Sequence, residues 1–190
     1  LVIEPGTTVL FGTGTGNVNG VENSDVVYRP YSIFRVEEGG SIEAKGTQDE
    51  PIVFKNIDTH AGWNGIEITL PDNGEVTDTF EYCYFINGGA QFRDFTEGLI
   101  DVSHGTKNTK FNLTVDHCIF DSTELVSKNI LQPSEIGAGF FYGDYDANTV
   151  ESNIKISNSM FKSLSMGIEG YTKDLAYEYF YNDKSKCKIE

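Results

Sequence analysis

Short runs of β-branched and aromatic residues, bounded by glycine and small polar residues, recur along this chain. Segments 3–9 (Ile-Glu-Pro-Gly-Thr-Thr-Val) and 36–42 (Val-Glu-Glu-Gly-Gly-Ser-Ile) follow one pattern at an offset of 33 residues. In each segment a glycine, Gly6 or Gly39, supplies the positive φ that a sharp bend needs, and the flanking β-branched residues favour extended chain. The pattern therefore predicts short strands joined by tight bends.

A second phrase occurs three times in the later chain, at residues 80–85, 115–120 and 156–161. Repeats of this kind indicate equivalent positions on successive structural units. The last residue of each copy is a phenylalanine, which predicts a stacked aromatic column of Phe85, Phe120 and Phe161. The small residues two positions earlier predict a second column that points the same way, formed by Cys83, Cys118 and Ser159.

The strands are short and no amphipathic helix separates them, which disfavours wound βαβ units and leaves an all-β solenoid. In a β-solenoid each coil packs its inward side chains on the equivalent positions of the next coil, about 4.8 Å away. We expect residues 1–172 to form the solenoid and residues 173–190 to form a C-terminal tail or cap. The steps between repeats exceed one bare coil, so we expect loop insertions at coil corners, at residues 12–30, 103–110, 122–135 and 143–153.

Segments 1–12, 36–56 and 62–68 resemble the coil sequence of bacterial right-handed parallel β-helix proteins of the pectate-lyase-like superfamily. The resemblance lies in an Ile-Glu-Pro-Gly coil, then Gly-Thr and Pro-Ile-Val-Phe, then Trp-Asn-Gly-Ile. It is specific over residues 1–68 and diffuse over residues 80–172. It implies a single-stranded right-handed parallel β-helix and a secreted or cell-surface location. The superfamily contains lyases, glycosidases, adhesins and tailspikes, so the fold leaves the function open.

Charge and hydropathy narrow the range of partners. The net charge of -15 repels phosphate backbones, which argues against nucleic acid. No apolar run approaches the ~20 residues of a membrane-spanning helix, so we expect no membrane insertion. Equivalent positions on successive coils would bring Cys83 and Cys118 within disulfide range, but buried, reduced thiols are the favoured interpretation.

Two places carry side chains that are suited to binding carbohydrate. An exposed Trp63 would offer a flat surface on which a sugar ring stacks, whereas the alternative is a structural residue at a coil bend, which we favour. Arg93 and Asp94 lie between Phe92 and Phe95, and this is where an arginine, a carboxylate and aromatic rings cluster. The favoured alternative for this pair is a solvated corner with an ion pair.

One segment carries candidate metal ligands. Asp144, Asp146 and Asn148 place three oxygen side chains at alternate positions, as the first half of a calcium loop does. The sixth position is Thr149 instead of Gly, and the twelfth is Lys155 instead of Glu. A polar loop is therefore favoured over a Ca²⁺ site, and no other cofactor is expected.

No residues stand out as catalytic. Glycosidase chemistry needs two carboxyl groups facing each other across a cleft, and nothing in the sequence selects a pair among Glu67, Asp101 and Asp116. The first hypothesis is therefore a non-catalytic secreted or cell-surface module: a scaffold, an adhesin or an assembly subunit that binds polysaccharide or a cell-surface protein. Residues 1–3 begin inside a coil, which suggests end-to-end self-association.

The alternative hypothesis is a polysaccharide lyase or glycoside hydrolase that acts on an acidic polysaccharide. A lyase predicts a basic residue beside clustered acids on one outward strand face. A scaffold predicts outward faces of mixed Ser, Thr, Asn and Lys without such a cluster.

Overall fold

The computed structural model describes residues 1–12, 32–57, 62–89, 98–104, 109–123, 127, 137–144, 150–164, 167–172 and 188–189. These residues form an all-β structure of sixteen strands in three parallel sheets. The chain visits the three sheets in turn, so each strand pairs with the strand three places later. We call three consecutive strands, one from each sheet, a coil. Predictions of an all-β fold with stacked parallel strands are confirmed.

The strands of each sheet are given in hydrogen-bonded order. Sheet A contains β1 (Val2–Ile3), β4 (Glu43–Lys45), β7 (Gly74–Glu81), β10 (Thr109–Asp116), β13 (Val150–Ser157) and β16 (Lys188–Ile189). Sheet B contains β2 (Thr8–Phe11), β5 (Ile52–Asn56), β8 (Cys83–Ile86), β11 (Ile119–Asp121) and β14 (Met160–Lys162). Sheet C contains β3 (Ile33–Val36), β6 (Gly65–Thr69), β9 (Gly98–His104), β12 (Ala138–Asp144) and β15 (Ile168–Thr172).

The core lies between the three sheets and is built from rows of inward side chains. Alternation along each strand sends every second residue inward, and the in-register pairing stacks those residues coil upon coil. In sheet B the row contains Phe54, Phe85, Phe120 and Phe161, whose successive ring centroids lie 5.1, 4.8 and 4.7 Å apart. The predicted aromatic column is therefore confirmed, and Phe54 extends it by one coil.

The predicted column of small residues is also present in sheet B. Cys83 and Cys118 are buried free thiols, and Ser159 Oγ accepts a hydrogen bond from the Cys118 N–H at 3.1 Å. Each thiol donates to a backbone carbonyl, Cys83 to Ala44 O and Cys118 to Phe80 O, both at 3.4 Å. Contact with Cys118 and burial raise the pKa of the Cys83 thiol, so it stays protonated and unreactive.

Tight bends join sheet A to sheet B. The bend residues Tyr82, His117 and Asn158 each have a positive φ of about 50°, and each follows the last residue of a sheet A strand. Gly6 and Gly39 also have positive φ, at 75° and 77°, as the sequence pattern predicts.

The offset of 33 residues between those two glycines does not correspond to one coil. Gly6 lies between β1 and β2, whereas Gly39 lies between β3 and β4, so the two bends occupy different corners. Ile3 pairs with Ala44, and Val36 pairs with Ile68. The two segments are therefore similar because both form a tight bend with a positive-φ glycine between two strands, and they do not occupy equivalent positions in successive coils.

Two predicted loops are shorter than expected. Ser103, His104, Thr109 and Lys110 lie in strands, because β9 continues to His104 and β10 begins at Thr109. In the same way β12 continues to Asp144 and β13 begins at Val150. The polar residues of these segments resemble loop sequence, and parallel pairing with neighbouring strands keeps their backbone extended.

Within the described ranges, no helix is long and apolar enough to cross a membrane.

Candidate functional site: the outer face of sheet C

The outer face of sheet C brings an arginine and two carboxylates into one row. Arg35 on β3 pairs in register with Glu67 on β6, and Glu67 pairs with Asp101 on β9. In-register parallel neighbours lie about 4.8 Å apart, so their outward side chains stand side by side. The next residue of the row is Phe141 on β12. The three charged residues are 32 and 34 positions apart, and only the strand register reveals that they are neighbours.

The charges of this row are paired at its exposed end. Arg35 Nη2 donates to Glu67 Oε2 at 2.9 Å, and the two side chains are 48% and 21% exposed. The hydrogen bond and the negative charge of Glu67 raise the pKa of Arg35, so the guanidinium stays cationic at all ordinary pH values. This arginine can bind a carboxylate or a hydroxyl group, and it cannot act as a base.

The row becomes more enclosed along its length. Asp101 is 3% exposed and Phe141 is 1% exposed, although both point outward from the sheet. The outer face of sheet C therefore has one accessible end, at Arg35 and Glu67, and one enclosed end.

The arrangement of the carboxylates differs from that of a glycosidase. A glycosidase places its two carboxyl groups on either side of the bond that it cleaves. Glu67 and Asp101 instead lie side by side on one face, and the Glu67 carboxylate already accepts a hydrogen bond from Arg35. This row offers a fixed cation beside two carboxylates, and such groups form charge-assisted hydrogen bonds.

Trp63 lies in the core. Its side chain is 0% exposed, and its ring stacks on Phe11 with centroids 4.1 Å apart. The indole Nε1 donates to the Ile86 carbonyl at 3.0 Å, and the Trp63 backbone forms an isolated bridge with Gly88. Trp63 is therefore packed in the core at the bend before β6. This is the structural role that the sequence analysis favours over a sugar-stacking surface.

Of the other predicted site residues, the structure describes only Asp144. Arg93 and Asp94 lie outside the described residues, and so do Asp146 and Asn148. Asp144 is the last residue of β12, where its backbone pairs with His104 and Thr172. Across the part of the chain that the structure describes, no group of three His, Cys, Asp or Glu side chains is arranged to hold a metal ion.

A second polar cluster stands at the corner between sheets A and B. Asp116 accepts hydrogen bonds from Ser157 Oγ at 2.7 Å and Asn158 Nδ2 at 2.8 Å, and its other oxygen lies 2.9 Å from His117 Nδ1. Partial burial raises the pKa of Asp116, but these three partners outweigh it and lower the pKa to about 2. The His117 ring stacks on Tyr82 at 4.6 Å. Both carboxylate oxygens of Asp116 thus have hydrogen-bond partners. Because Ser157 and Asn158 belong to the next coil, the cluster joins successive coils.

Comparison of this chain with known protein families, with curated proteins and with solved structures gives no match.

Proposed function

We propose that the chain is a right-handed parallel β-helix of the pectate-lyase-like type. The three parallel sheets visited in rotation, the repeated Phe phrase and the Ile-Glu-Pro-Gly and Trp-Asn-Gly-Ile segments support this assignment. Connections that return a chain to a parallel strand of the same sheet are right-handed in about 98% of cases. The same resemblance supports a secreted or cell-surface location.

Within that fold, we propose a non-catalytic module that binds carbohydrate at the outer face of sheet C. The observation that carries the proposal is the Arg35–Glu67 pair, which fixes a permanent cation on an accessible outward row beside Asp101. The hydroxyl groups of a polysaccharide can hydrogen-bond to the charged groups of such a row. The polar outer face of sheet A, with Thr, Asn, Lys and Glu in mixed order, matches the expectation for a scaffold.

Binding to a panel of acidic and neutral polysaccharides, measured by affinity electrophoresis, tests the proposal. We expect the wild-type chain to bind at least one polysaccharide, and Arg35→Ala to weaken that binding at least about tenfold. Lys45→Ala is the matched control, because Lys45 forms a similar exposed pair with Glu43 at 2.8 Å on sheet A. Equal binding by the Arg35 and Lys45 variants would contradict the proposal, as would no binding by the wild type.

A second candidate function is a polysaccharide lyase or hydrolase. It is favoured by one observation, because Glu67 and Asp101 place two carboxylates beside the permanent cation of Arg35 on one outward face. Incubation with the same polysaccharides, with and without Ca²⁺, tests it through the release of unsaturated or reducing ends. Release that disappears in both Glu67→Gln and Asp101→Asn would support this candidate over the binding module.

A further inference from the structure

The outer face of sheet B carries apolar residues on all five strands, unlike the polar outer face of sheet A. Two outward rows cross all five strands, and the in-register pairs fix their members. The first row is Thr8, Val53, Tyr84, Ile119 and Met160. The second row is Leu10, Lys55, Ile86, Asp121 and Lys162. We call these ten residues the sheet B face.

Much of the sheet B face is accessible to solvent. Leu10 is 53% exposed and Met160 is 50% exposed, and both lie at the ends of their rows. Val53, Tyr84 and Ile119, in the middle of the first row, are partly buried. Ile57, which follows β5, adds a further apolar residue at 65% exposure. Apolar residues that share one sheet face and keep part of their surface in solvent suit an interaction site.

The charges on this face are placed at two separate positions. Lys55 on β5 and Asp121 on β11 lie in the same row with Ile86 between them, about 10 Å apart at two strand spacings. They do not pair within one copy. Among the described residues, Lys55 has no ion-pair partner, whereas Asp121 lies 3.6 Å from Lys162 Nζ.

We propose that the sheet B face binds the same face of a second copy of this chain, with the strands parallel and the coils in opposite order. A two-fold axis that lies between the two faces and runs parallel to β8 produces this arrangement. It places Tyr84 against Tyr84 of the second copy and Ile86 against Ile86. It also places Val53 against Ile119 of the second copy, so the middle of the interface is apolar.

The same rotation makes the charges complementary. Lys55 of each copy meets Asp121 of the other, which gives two intermolecular ion pairs by symmetry. At the ends, Leu10 meets the aliphatic stem of Lys162 and Thr8 meets Met160. A two-fold axis perpendicular to the strands would instead place Ile119 against Asp121 and Val53 against Lys55. Burying a charge against an apolar residue is unfavourable, so the first arrangement is selected.

The size of the face determines how strong this association is. Five strands about 4.8 Å apart, with two outward residues on each strand, give a face of roughly 20 by 10 Å. A stable interface buries roughly 800 Å² on each partner. The dimer is therefore weak and forms as the protein concentration rises.

Charge reversal tests the arrangement by sedimentation equilibrium over a range of concentrations. Lys55→Glu sets like charges against Asp121 of the second copy, and Asp121→Lys sets them against Lys55. We expect either single variant to raise the dimer dissociation constant at least about tenfold. A mixture of the two single variants restores opposite charges at both contacts, so it associates within about threefold of the wild type.

Two further variants separate this face from other modes of association. Ile119→Lys abolishes the dimer, because it buries a charge in the apolar middle. Thr114→Lys, at an outward position of sheet A, leaves the dimer unchanged. Thermal unfolding monitored by circular dichroism confirms that each variant is folded. A wild-type chain that stays monomeric at every concentration would overturn the proposal, and so would charge-reversal variants that associate as the wild type does.

Discussion

Sheets A and B share the same coils and differ on both of their faces. Inside, sheet B stacks one residue type through four coils, whereas sheet A has a mixed row that contains Asp78, Leu113 and Ile154. Outside, sheet B mixes apolar and charged residues, whereas sheet A is polar. Parallel in-register pairing places equivalent positions side by side, so a residue that the sequence repeats becomes a row of like side chains on one face of the sheet.

The difference shows which rows supply stability and which rows supply specificity. Stacked phenylalanines contribute to stability by burial and by ring contacts. The inner row of sheet A instead includes a carboxyl group that is 0% exposed. Asp78 Oδ1 accepts a hydrogen bond from the Ile42 N–H at 2.7 Å, and Oδ2 has no partner among the described residues. We infer that Asp78 fixes the corner before β4 at a cost in stability.

The largest effect is expected inside sheet B. Phe120 is 0% exposed and stacks on Phe85 and Phe161 at 4.8 and 4.7 Å. Phe120→Ala opens a cavity between two coils and removes both ring contacts. We expect it to lower the free energy of unfolding by about 3–5 kcal/mol, measured by urea denaturation. Phe120→Leu, which keeps most of the volume, is the control and is expected to lose less. A loss below about 1 kcal/mol for the alanine variant would contradict the stacked column.

The next effect is expected at the carboxyl group inside sheet A. Burial raises the pKa of Asp78 to about 6, although the hydrogen bond from Ile42 and the charge of the Leu1 amino group oppose the shift. The folded chain therefore binds this proton more tightly than the unfolded chain, whose carboxyl has its ordinary pKa of 3.8. Stability is highest below about pH 4, falls as the pH rises to about 6, and is constant above that value. The difference is roughly 2–3 kcal/mol.

Asp78→Asn tests this pH dependence. The amide oxygen still accepts from Ile42, and the side chain can no longer ionise. We expect the fall in unfolding free energy between pH 4 and pH 6 to become smaller, and the variant to be more stable than the wild type at pH 7 by about 1 kcal/mol, since the new buried N–H group lacks an acceptor. A variant whose stability has the same pH slope as the wild type would show that Asp78 is not the titrating group.

Asp116, on the outer face of sheet A, is expected to behave in the opposite way. Its pKa of about 2 lies below the ordinary value of 3.8, so it stabilises the fold above pH 4 and loses that effect as the pH falls towards 2. After allowance for solvent screening, Asp116→Ala is expected to cost about 1 kcal/mol at pH 7. The cost should disappear near pH 2. Denaturation curves at both pH values measure it, and a cost that does not change with pH would contradict the assignment.

The sequence predicts the inner row of sheet B better than it predicts the rest of the structure. Phe85, Phe120 and Phe161 occur in three copies of one phrase, and in-register stacking turns a sequence repeat directly into a column. Phe54 lies in the same column but follows Pro-Ile-Val, which does not match the phrase. The repeat thus identifies the row and misses its first aromatic member.

The candidate site on sheet C cannot be read from the sequence, for a physical reason. Arg35, Glu67 and Asp101 share no local phrase, and their spacing depends on the lengths of the corner segments between them. A shift of one residue in any strand would send the side chain to the opposite face. The sequence-predicted ligands Arg93, Asp94, Asp146 and Asn148 stay predictions, because they lie outside the described residues.

The smallest effect is expected on the outer face of sheet A. Asn153 Nδ2 donates to Asn112 Oδ1 at 3.1 Å, and Asn112 Nδ2 donates to Glu75 Oε1 at 2.8 Å, so this polar row is linked by hydrogen bonds across three coils. Water replaces a lost partner at an exposed position. We expect Asn153→Ala to change the free energy of unfolding by no more than about 0.5 kcal/mol in urea. A loss above about 1 kcal/mol would contradict this contrast between the sheets, because an exposed polar row would then stabilise the stack as strongly as a buried column does.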